Sequence, residues 1–401
     1  MGSGERRRIL LAADWYPPAF RAGGPVRSVA HLAALLADDH DVFVVTGTHD
    51  LGSPEPLPGA GGGWQDADGI QVLRLGPSER TVARWRALLT EVRPHVLHLN
   101  SLFSRGFTLA PLRASQGWAG LARILAPRGM LSPGALAHRP LKKRLFLAWA
   151  QRAPRFSGVR WHATSEQEAE DIRRHFGHAH IDVAPNLAGP CPLPAASPRP
   201  APPWRVVSLG RVHPVKNLGF ACEVLAGLGR PVRWDVVGPW EDPAEVARLQ
   251  AAARVAGEAA SRAGEAAARV AGEAASRADQ AAIEVRFHGA LEPAAAAAVL
   301  REAHFLMMPS VTENYGHAVV EAWAAGCPVW VSEGTPWRGL REAGVGEVLP
   351  LDVEVWREAV RGWMDAGPEA WAAASARCLR YRSDLDERSG AAEATRRIFS
   401  P

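Results

Sequence analysis

This sequence of 401 residues has only four cysteines, no long apolar run and no strong excess of charge. No apolar run near the N-terminus extends beyond residues 9–13, which is too short for a signal peptide or a membrane span. A formal charge of +4 gives no global support to nucleic-acid binding. The cysteines fit neither a metal site nor a disulfide framework, which favours a reducing compartment; they are Cys191, Cys222, Cys327 and Cys378. We therefore expect a cytoplasmic protein, with peripheral attachment at the inner face of a membrane left open.

Length and hydrophobic patterning predict two α/β domains. The chain exceeds one ordinary domain, and its apolar fraction of 47% can fill two cores. In the first half, short apolar runs alternate with helical patterns, which predicts a parallel, doubly wound sheet. The predicted strands are residues 8–12, 42–46, 71–75, 96–99, 124–126 and 161–163, and the predicted helices lie around 27–37, 81–91, 106–115, 140–152 and 167–176.

A proline-rich segment divides the chain. Residues 189–203 read as a stiff linker between a first domain, 1–188, and a second domain, 204–380, where the alternation restarts. An Ala/Glu/Arg-rich stretch at 254–263 recurs at 269–278, which predicts a helical insertion at about 250–281 outside the active cleft. Residues 381–401 read as a helical tail, with packing against the first domain left open.

Two cations follow the first predicted strand of the second half. Arg211 and Lys216 lie in the loop between that strand and a helix, where main-chain amides also point outward. The combination suits a diphosphate. The alternative is that both are ordinary surface charges.

Two glutamates bracket a later helix start. Glu313 precedes the helix, and we place Glu321 in its first turn. Gly316 between them would let a ligand approach the main chain closely. Because a carboxylate repels phosphate, we expect the glutamates to bind neutral hydroxyls on either side of it. The alternative for Glu321 is a charge that favours a helix N-terminus.

Taken together, these motifs resemble retaining glycosyltransferase family 4. The resemblance is carried by Gly210-Arg211 with Lys216, and by the two glutamates within TENYGHAVVEAWAAGCPV (residues 312–329). Further similarities follow in chain order: RAGGPVRSV (21–29), APRGMLSPGAL (126–136), HATSEQEAEDI (162–172), APN (184–186) and EGTPW (333–337). The resemblance covers nearly the whole chain. It implies the α/β GT-B fold, in which two Rossmann-like doubly wound parallel-sheet domains face a cleft.

The resemblance also implies roles for individual residues. Arg211 and Lys216 would hold the donor phosphates, Glu321 the ribose, and Glu313 the sugar near its reacting carbon. The remaining donor-binding candidates are Gly23, Gly24, Asn314, Tyr315, Gly316 and His317. In the first domain, Asn100, Arg128 and Ser165 follow predicted strands and are the acceptor-binding candidates, although Asn100 and Ser165 could equally be helix caps. Many family members carry a histidine where this chain has Arg128, so a histidine-based role does not transfer.

The implied activity is a retaining transfer of a sugar from a nucleotide-sugar co-substrate to a glycan or lipid-linked acceptor, in surface polysaccharide biosynthesis. We expect no cofactor, no metal and no nucleic-acid partner, because no Asp-x-Asp motif follows a predicted strand and the two cations can replace an ion. Front-face attack is the expected route, with double displacement through Glu313 left open.

Rival functions remain at this point. A Rossmann oxidoreductase requires Gly-x-Gly-x-x-Gly after its first strand, and LLAADWYPPAFRAGG (residues 10–24) lacks that spacing. A GT-B sugar-nucleotide epimerase and a non-enzymatic scaffold that uses the repeat at 254–278 are the alternatives.

Overall fold

The structure, a computed structural model, describes residues 6–137, 140–177, 179–189, 203–271 and 283–400, with side chains described outside 258–271. The chain forms two units. Unit 1 contains residues 1–190 and 386–401, and unit 2 contains residues 191–385.

Unit 1 is built on an eight-stranded sheet. Its strands are β1 (Arg8–Ala13), β2 (Asp41–Gly47), β3 (Gln65–Ala67), β4 (Ile70–Leu75), β5 (Val96–Asn100), β6 (Ala122–Ala126), β7 (Arg160–Ala163) and β8 (His180–Val183). They lie in the order β3-β4-β2-β1-β5-β6-β7-β8, and every neighbouring pair is parallel except the antiparallel β3–β4 hairpin. The order reverses between β1 and β5, the point at which ligands bind in open α/β sheets.

Unit 2 carries a six-stranded, wholly parallel sheet. Its strands are β9 (Trp204–Leu209), β10 (Val232–Val237), β11 (Ile283–Gly289), β12 (Phe305–Met308), β13 (Val329–Ser332) and β14 (Gly346–Leu349). The order β11-β10-β9-β12-β13-β14 places the reversal between β9 and β12.

Helices connect successive strands in both units. In unit 1 they are α1 (Gly24–Ala37), α2 (Val82–Val92), α3 (Ala110–Ala114), α4 (Pro133–Ala137), α5 (Pro140–Ala150) and α6 (Glu166–His175). In unit 2 they are α7 (Leu218–Ala226), α8 (Pro243–Ala271), α9 (Pro293–Glu302), α10 (His317–Ala324), α11 (Leu340–Ala343), α12 (Val353–Asp365) and α13 (Gly367–Ser383). The chain then passes through α14 (Leu385–Ser389) and ends with α15 (Ala391–Phe399).

The C-terminal helix belongs to the core of unit 1. Ile398 and Phe399 pack in the cluster formed by Ile9, Leu11 and their neighbours, and the Arg7 guanidinium donates to the Phe399 carbonyl at 2.6 Å. A second cluster on Leu10, Trp85 and Phe107 fills the other face of the sheet. Unit 2 has its own core, which includes Trp234, Trp330 and Trp356.

The doubly wound α/β prediction is confirmed, but two strands of unit 1 were missed. The short strands β3 and β8 were not predicted, because β3 is three polar, exposed residues and β8 is no more than partly buried. The first copy of the repeat lies on the 29-residue helix α8, while residues 272–278 of the second copy fall outside the described residues. The linker residues 190–202 also fall outside them.

Candidate functional site

The strand reversal in unit 2 carries a pocket with about 240 Å³ of open space. The ends of β9 and β12, the loop that follows β9 and the first residue of α7 line it. Its lining residues are Ser208, Leu209, Gly210, Lys216, Leu218, Met307 and Met308. The loops that follow β9 and β12 are tied together because the Val311 amide donates to the Val215 carbonyl at 2.9 Å. The pocket therefore lies where the topology predicts a ligand.

An ion pair joins the two loops at this pocket. The Lys216 ammonium donates to Glu313 Oε2, and the two side chains are only 18% and 19% exposed. The Glu313 amide donates to the Gly334 carbonyl at 2.9 Å, which fixes the carboxylate from the other side. Sequence reasoning assigned these residues separate parts of a ligand, whereas the structure places them in contact.

Arg211 also has a carboxylate partner. Its guanidinium donates to Glu241 Oε2 at 2.7 Å, and both side chains are partly exposed. Sequence reasoning missed Glu241, although it lies in the loop that directly follows β10. An exposed pair of this kind is weak, so a phosphate can replace the carboxylate at small cost.

Helix α10 begins beside the ion pair. Gly316 adopts φ +82°, and a Cβ there would lie 3.1 Å from Met308 Cε and 3.2 Å from Trp337 Nε1, so only glycine fits without strain. Glu321 is the fifth residue of the helix. Its predicted place in the first turn was therefore wrong by about one residue, because the helix begins at His317 rather than earlier.

An aromatic cluster covers the same helix start. The ring of Tyr315 lies 4.8 Å from that of His317 and 5.2 Å from that of Trp337, between centroids. Trp337 belongs to the EGTPW motif, and its buried indole N–H has no partner in the part of the chain that the structure describes. Asn314 lies in the loop just before the cluster. The cluster places one unused hydrogen-bond donor beside Gly316.

Glycines allow the strand ends to approach closely. Gly210 and Gly238 both adopt φ +148°, and a Cβ on Gly238 would lie 1.9 Å from the Gly210 carbonyl oxygen. Any side chain at Gly238 would therefore displace the loop that carries Arg211.

In unit 1, Arg128 lies just after β6, at the edge of the sheet where the carboxyl ends of its parallel strands meet. Its guanidinium donates to Asn186 Oδ1 at 2.5 Å and to Asn100 Oδ1 at 2.8 Å, and its buried Nε–H has no partner among the described residues. Burial lowers the pKa of Arg128 to about 10, so the group remains a cation at neutral pH. Sequence reasoning missed Asn186, although APN was among the similar motifs.

A buried histidine pair supports this arrangement. His98 Nε2 lies 3.2 Å from His162 Nδ1, His162 Nε2 lies 3.0 Å from the Ala184 carbonyl oxygen, and the Asn100 amide lies 3.1 Å from His98 Nδ1. These partners fit two neutral rings: His162 donates to Ala184, and His98 donates to His162 while accepting from Asn100. The chain of bonds thus orients the oxygen of Asn100 toward Arg128.

Ser165 caps a helix. Its hydroxyl accepts from the Glu168 amide at 3.1 Å at the start of α6. The Glu168 side chain does not return a bond to the Ser165 amide, as it would in a capping box. Its buried carboxylate instead accepts from the Thr164 amide at 2.7 Å and from the Gly129 amide. Ser165 therefore has a structural role, while Asn100 is no cap and belongs to the Arg128 network.

The glycine-rich segment forms the start of α1. Gly23 adopts φ +66° and caps the helix, and Gly24 is its first residue. The loop before it is held by Asp50, which accepts from the amides of Phe20 at 2.8 Å and Arg21 at 3.0 Å.

Asp14 is a further candidate that sequence reasoning missed. It follows β1 at the strand reversal, and the Ser104 hydroxyl donates to it at 2.8 Å. Burial raises the pKa of Asp14, and the bond from Ser104 and the nearby Arg80 partly offset this shift. Its position after a central strand was the available signal.

Within the described part of the chain, no cluster of three or more His, Cys, Asp or Glu side chains is arranged to hold a metal ion. The sequence contains three Asp-x-Asp triplets, residues 39–41, 66–68 and 384–386, and none of them contributes to the pocket lining. Asp386 instead accepts from the amides of Ala188 and Gly189.

Two family models match the chain. One, described as a glycosyl transferase 4-like domain, covers residues 23–187. The other, described as a family 4 glycosyltransferase in conflict systems, covers residues 156–399, more than half of the chain. The chain belongs to glycosyltransferase family 4. It is accordingly a glycosyltransferase, and the resemblance seen in the sequence is confirmed.

Solved structures confirm the GT-B fold. Sucrose-phosphate synthase from Thermosynechococcus elongatus matches with a TM-score of 0.68 and 17% identity, over 98% of each chain. HepE of Anabaena, solved with UDP and glucose, matches with a TM-score of 0.63 and 15% identity, over 98% of each chain. WaaG, a glycosyltransferase involved in lipopolysaccharide biosynthesis, matches with a TM-score of 0.61 and 14% identity, over 98% of this chain and 100% of its own. The search of curated proteins gives no significant match.

None of the helices in the described residues is both long and apolar enough to cross a membrane.

Proposed function

We propose that this family 4 glycosyltransferase moves a sugar, with retention of configuration, from a nucleotide-sugar donor bound in unit 2. The acceptor is a glycan or a lipid-linked glycan bound in unit 1, and the product belongs to surface polysaccharide biosynthesis. The Lys216–Glu313 pair carries the proposal, because it places a cation and a carboxylate together at the strand reversal beside a helix start.

The contact between Lys216 and Glu313 orders the donor along the pocket. Since Lys216 contacts Glu313, a phosphate held by Lys216 would also lie close to Glu313. In a nucleotide sugar, the anomeric carbon is bonded to an oxygen of the terminal phosphate. Glu313 is thereby suited to the sugar near its reacting carbon. Glu321, the fifth residue of α10, would bind the ribose diol.

The amides at the start of α10 complete the donor site. Gly316 leaves the main chain open to the diphosphate, and Asn314, Tyr315 and His317 surround it. Gly23 and Gly24, at the start of α1 in unit 1, are the remaining donor-binding candidates that the family resemblance implies.

The reaction needs no protein base. The acceptor hydroxyl attacks the anomeric carbon on the face from which the phosphate leaves. The bond from that carbon to the phosphate oxygen breaks as the glycosidic bond forms, and the departing phosphate takes the hydroxyl proton. Lys216 and Arg211 stabilise the charge that develops on the leaving group. In this proposal the transfer uses neither a cofactor nor a metal ion.

The acceptor site would use Arg128. Its guanidinium is fixed by two asparagines and remains a cation at neutral pH, which suits an anionic or hydroxyl-rich acceptor. Asn100 acts through Arg128, and Ser165 contributes by fixing the start of α6.

Calorimetric titration of the Lys216→Ala variant with nucleoside diphosphates tests the proposal. The loss of a charge-assisted bond should cost about 1.5–3 kcal/mol, or about 10- to 150-fold in affinity. Arg230→Ala is the matched control, since it removes another ion pair of unit 2, with Asp365 at 2.6 Å, and should bind like the wild type. Unchanged affinity in Lys216→Ala would rule out the donor assignment.

A further inference from the structure

The charge of this chain is unevenly distributed. Residues 92–165 contain twelve Lys and Arg residues and no Asp or Glu, although the whole chain has 42 acidic residues against 46 basic ones. The segment runs from the end of α2 to the cap of α6 and includes the loops after β5 and β6. An acid-free segment of this length gives unit 1 a positive surface that attracts anionic partners.

Helix α5 within this segment has two apolar faces. Leu147 and Ala150 are buried, and Phe146 packs against Phe103 and Phe156 at 5.0 and 6.5 Å between ring centroids. This buried face anchors the helix on unit 1, as the apolar face of an ordinary amphipathic helix does.

The opposite face of α5 is apolar and exposed. Leu141, Leu145 and Trp149 are 70%, 65% and 40% exposed, although large apolar side chains are usually covered. Trp149 borders the buried face, since its ring lies 5.5 Å from that of Phe146 and 6.0 Å from that of Phe156, between centroids. The three exposed side chains are four residues apart, a spacing that advances only about 40° around the helix, so they form one stripe. We call these three residues the exposed stripe.

Cations border the exposed stripe. Lys142 and Arg144 are exposed on either side of it, and the Arg155 guanidinium lies 4.7 Å from the centre of the Trp149 ring. Apolar and aromatic side chains flanked by Lys and Arg are typical of helices that lie in the interface of an anionic membrane. A protein partner with an apolar groove would satisfy the stripe alone, whereas an anionic lipid surface satisfies both the stripe and its cations.

The position of α5 relates this surface to the candidate acceptor site. Phe103, which contacts Phe146, lies in the loop after β5, three residues beyond Asn100. The Lys143 ammonium also lies 5.6 Å from the Phe103 ring centre. A membrane that covered the exposed stripe would therefore lie close to the loop that leads from Asn100.

We propose that unit 1 docks on an anionic membrane surface through the exposed stripe and cations of α5. The inference extends the proposed function by giving a lipid-linked acceptor a route to Arg128. It does not depend on the donor chemistry, so nucleotide affinity measured by calorimetry should be unchanged in variants of the stripe.

Vesicle sedimentation tests the proposal with the full chain. At low salt, the wild type should sediment with vesicles that contain about one third phosphatidylserine and remain in solution with pure phosphatidylcholine. Leu141→Ser with Leu145→Ser should abolish sedimentation, and Lys142→Glu with Arg144→Glu should weaken it at least tenfold. Added salt should weaken binding of the wild type.

A matched pair of substitutions separates local from global charge effects. Arg86→Glu with Arg173→Glu makes the same change in net charge at exposed positions of α2 and α6 and should leave sedimentation unchanged. Equal recovery with neutral and anionic vesicles would overturn the proposal, as would unchanged binding of both α5 variants. A wild-type dimer in sedimentation velocity that the serine variant abolishes would also overturn it, because the stripe would then join two copies of the chain.

Discussion

Acid should destabilise unit 1 through the His98–His162 pair. Both rings are almost fully buried, at 0% and 2% exposure. Burial lowers the pKa of His98 well below 6.5 and that of His162 to about 3, and the nearby Arg128 lowers both further. In each ring Nδ1 already accepts a hydrogen bond, from Asn100 for His98 and from His98 for His162. A proton added to Nδ1 would therefore face another N–H donor and break the chain of bonds to Asn100.

The sign follows from the two states of the chain. Unfolded histidines titrate near pH 6.5, so below that pH the unfolded chain binds more protons than the folded chain, and the free energy of unfolding falls as pH falls toward about 3. Between pH 7 and pH 5 the cost is about 2 kcal/mol for His162, and the lowered pKa of His98 adds to it in the same direction. The raised pKa of Asp14 and of Asp171 acts in the opposite direction, which calls for a variant as reference.

Hydrogen exchange of β5 and β7 at pH 7 and pH 5, corrected for the intrinsic rate, measures this cost locally. The wild type should lose opening free energy between the two values, and His98→Gln with His162→Gln should lose at least about 2 kcal/mol less. His180→Gln is the control, because the His180 side chain is 69% exposed and should not alter the dependence. An equal change in opening free energy in the wild type and in His98→Gln with His162→Gln would refute the reasoning, because the contributions of Asp14 and Asp171 are common to both.

Three further predictions concern the sites. Arg128→Lys should raise the acceptor KM and leave donor affinity unchanged, because a lysine cannot bond Asn100 and Asn186 together; an unchanged KM would remove Arg128 from the acceptor site. Gly316→Ala should weaken nucleoside diphosphate binding by about 1–3 kcal/mol through strain at φ +82° and contact with Met308, and equal calorimetric affinity would contradict this. Transfer measured after EDTA treatment should continue at the untreated rate; loss of activity that Mg²⁺ or Mn²⁺ restores would show that the cations do not replace an ion.

Much of the fold could be predicted because its signals are local. Buried strands such as β1 and β5 are short apolar runs, and their alternation with helices dictates a parallel sheet. The short strand β3 gave no such signal, since its pairing with β4 is decided by a turn rather than by burial.

The contacts within the sites were less predictable, because they join residues far apart in the chain. Lys216 and Glu313 are separated by 97 positions, and Arg128 and Asn186 by 58. Sequence spacing identified these residue types at strand ends, but only the strand order brings the loops together. The helix start at His317 also depended on Gly316 adopting a left-handed conformation, which a sequence pattern does not fix to a single residue.

The most direct test of the central claim is hydrogen exchange of the full chain with a panel of nucleotide sugars. At saturation, one donor should protect residues 210–217 and 309–321, the two loops that the Lys216–Glu313 pair joins, and that protection should disappear in Lys216→Ala. If no nucleotide sugar protects these loops, or if the protection persists in Lys216→Ala, the donor does not bind at the strand reversal of unit 2 as proposed.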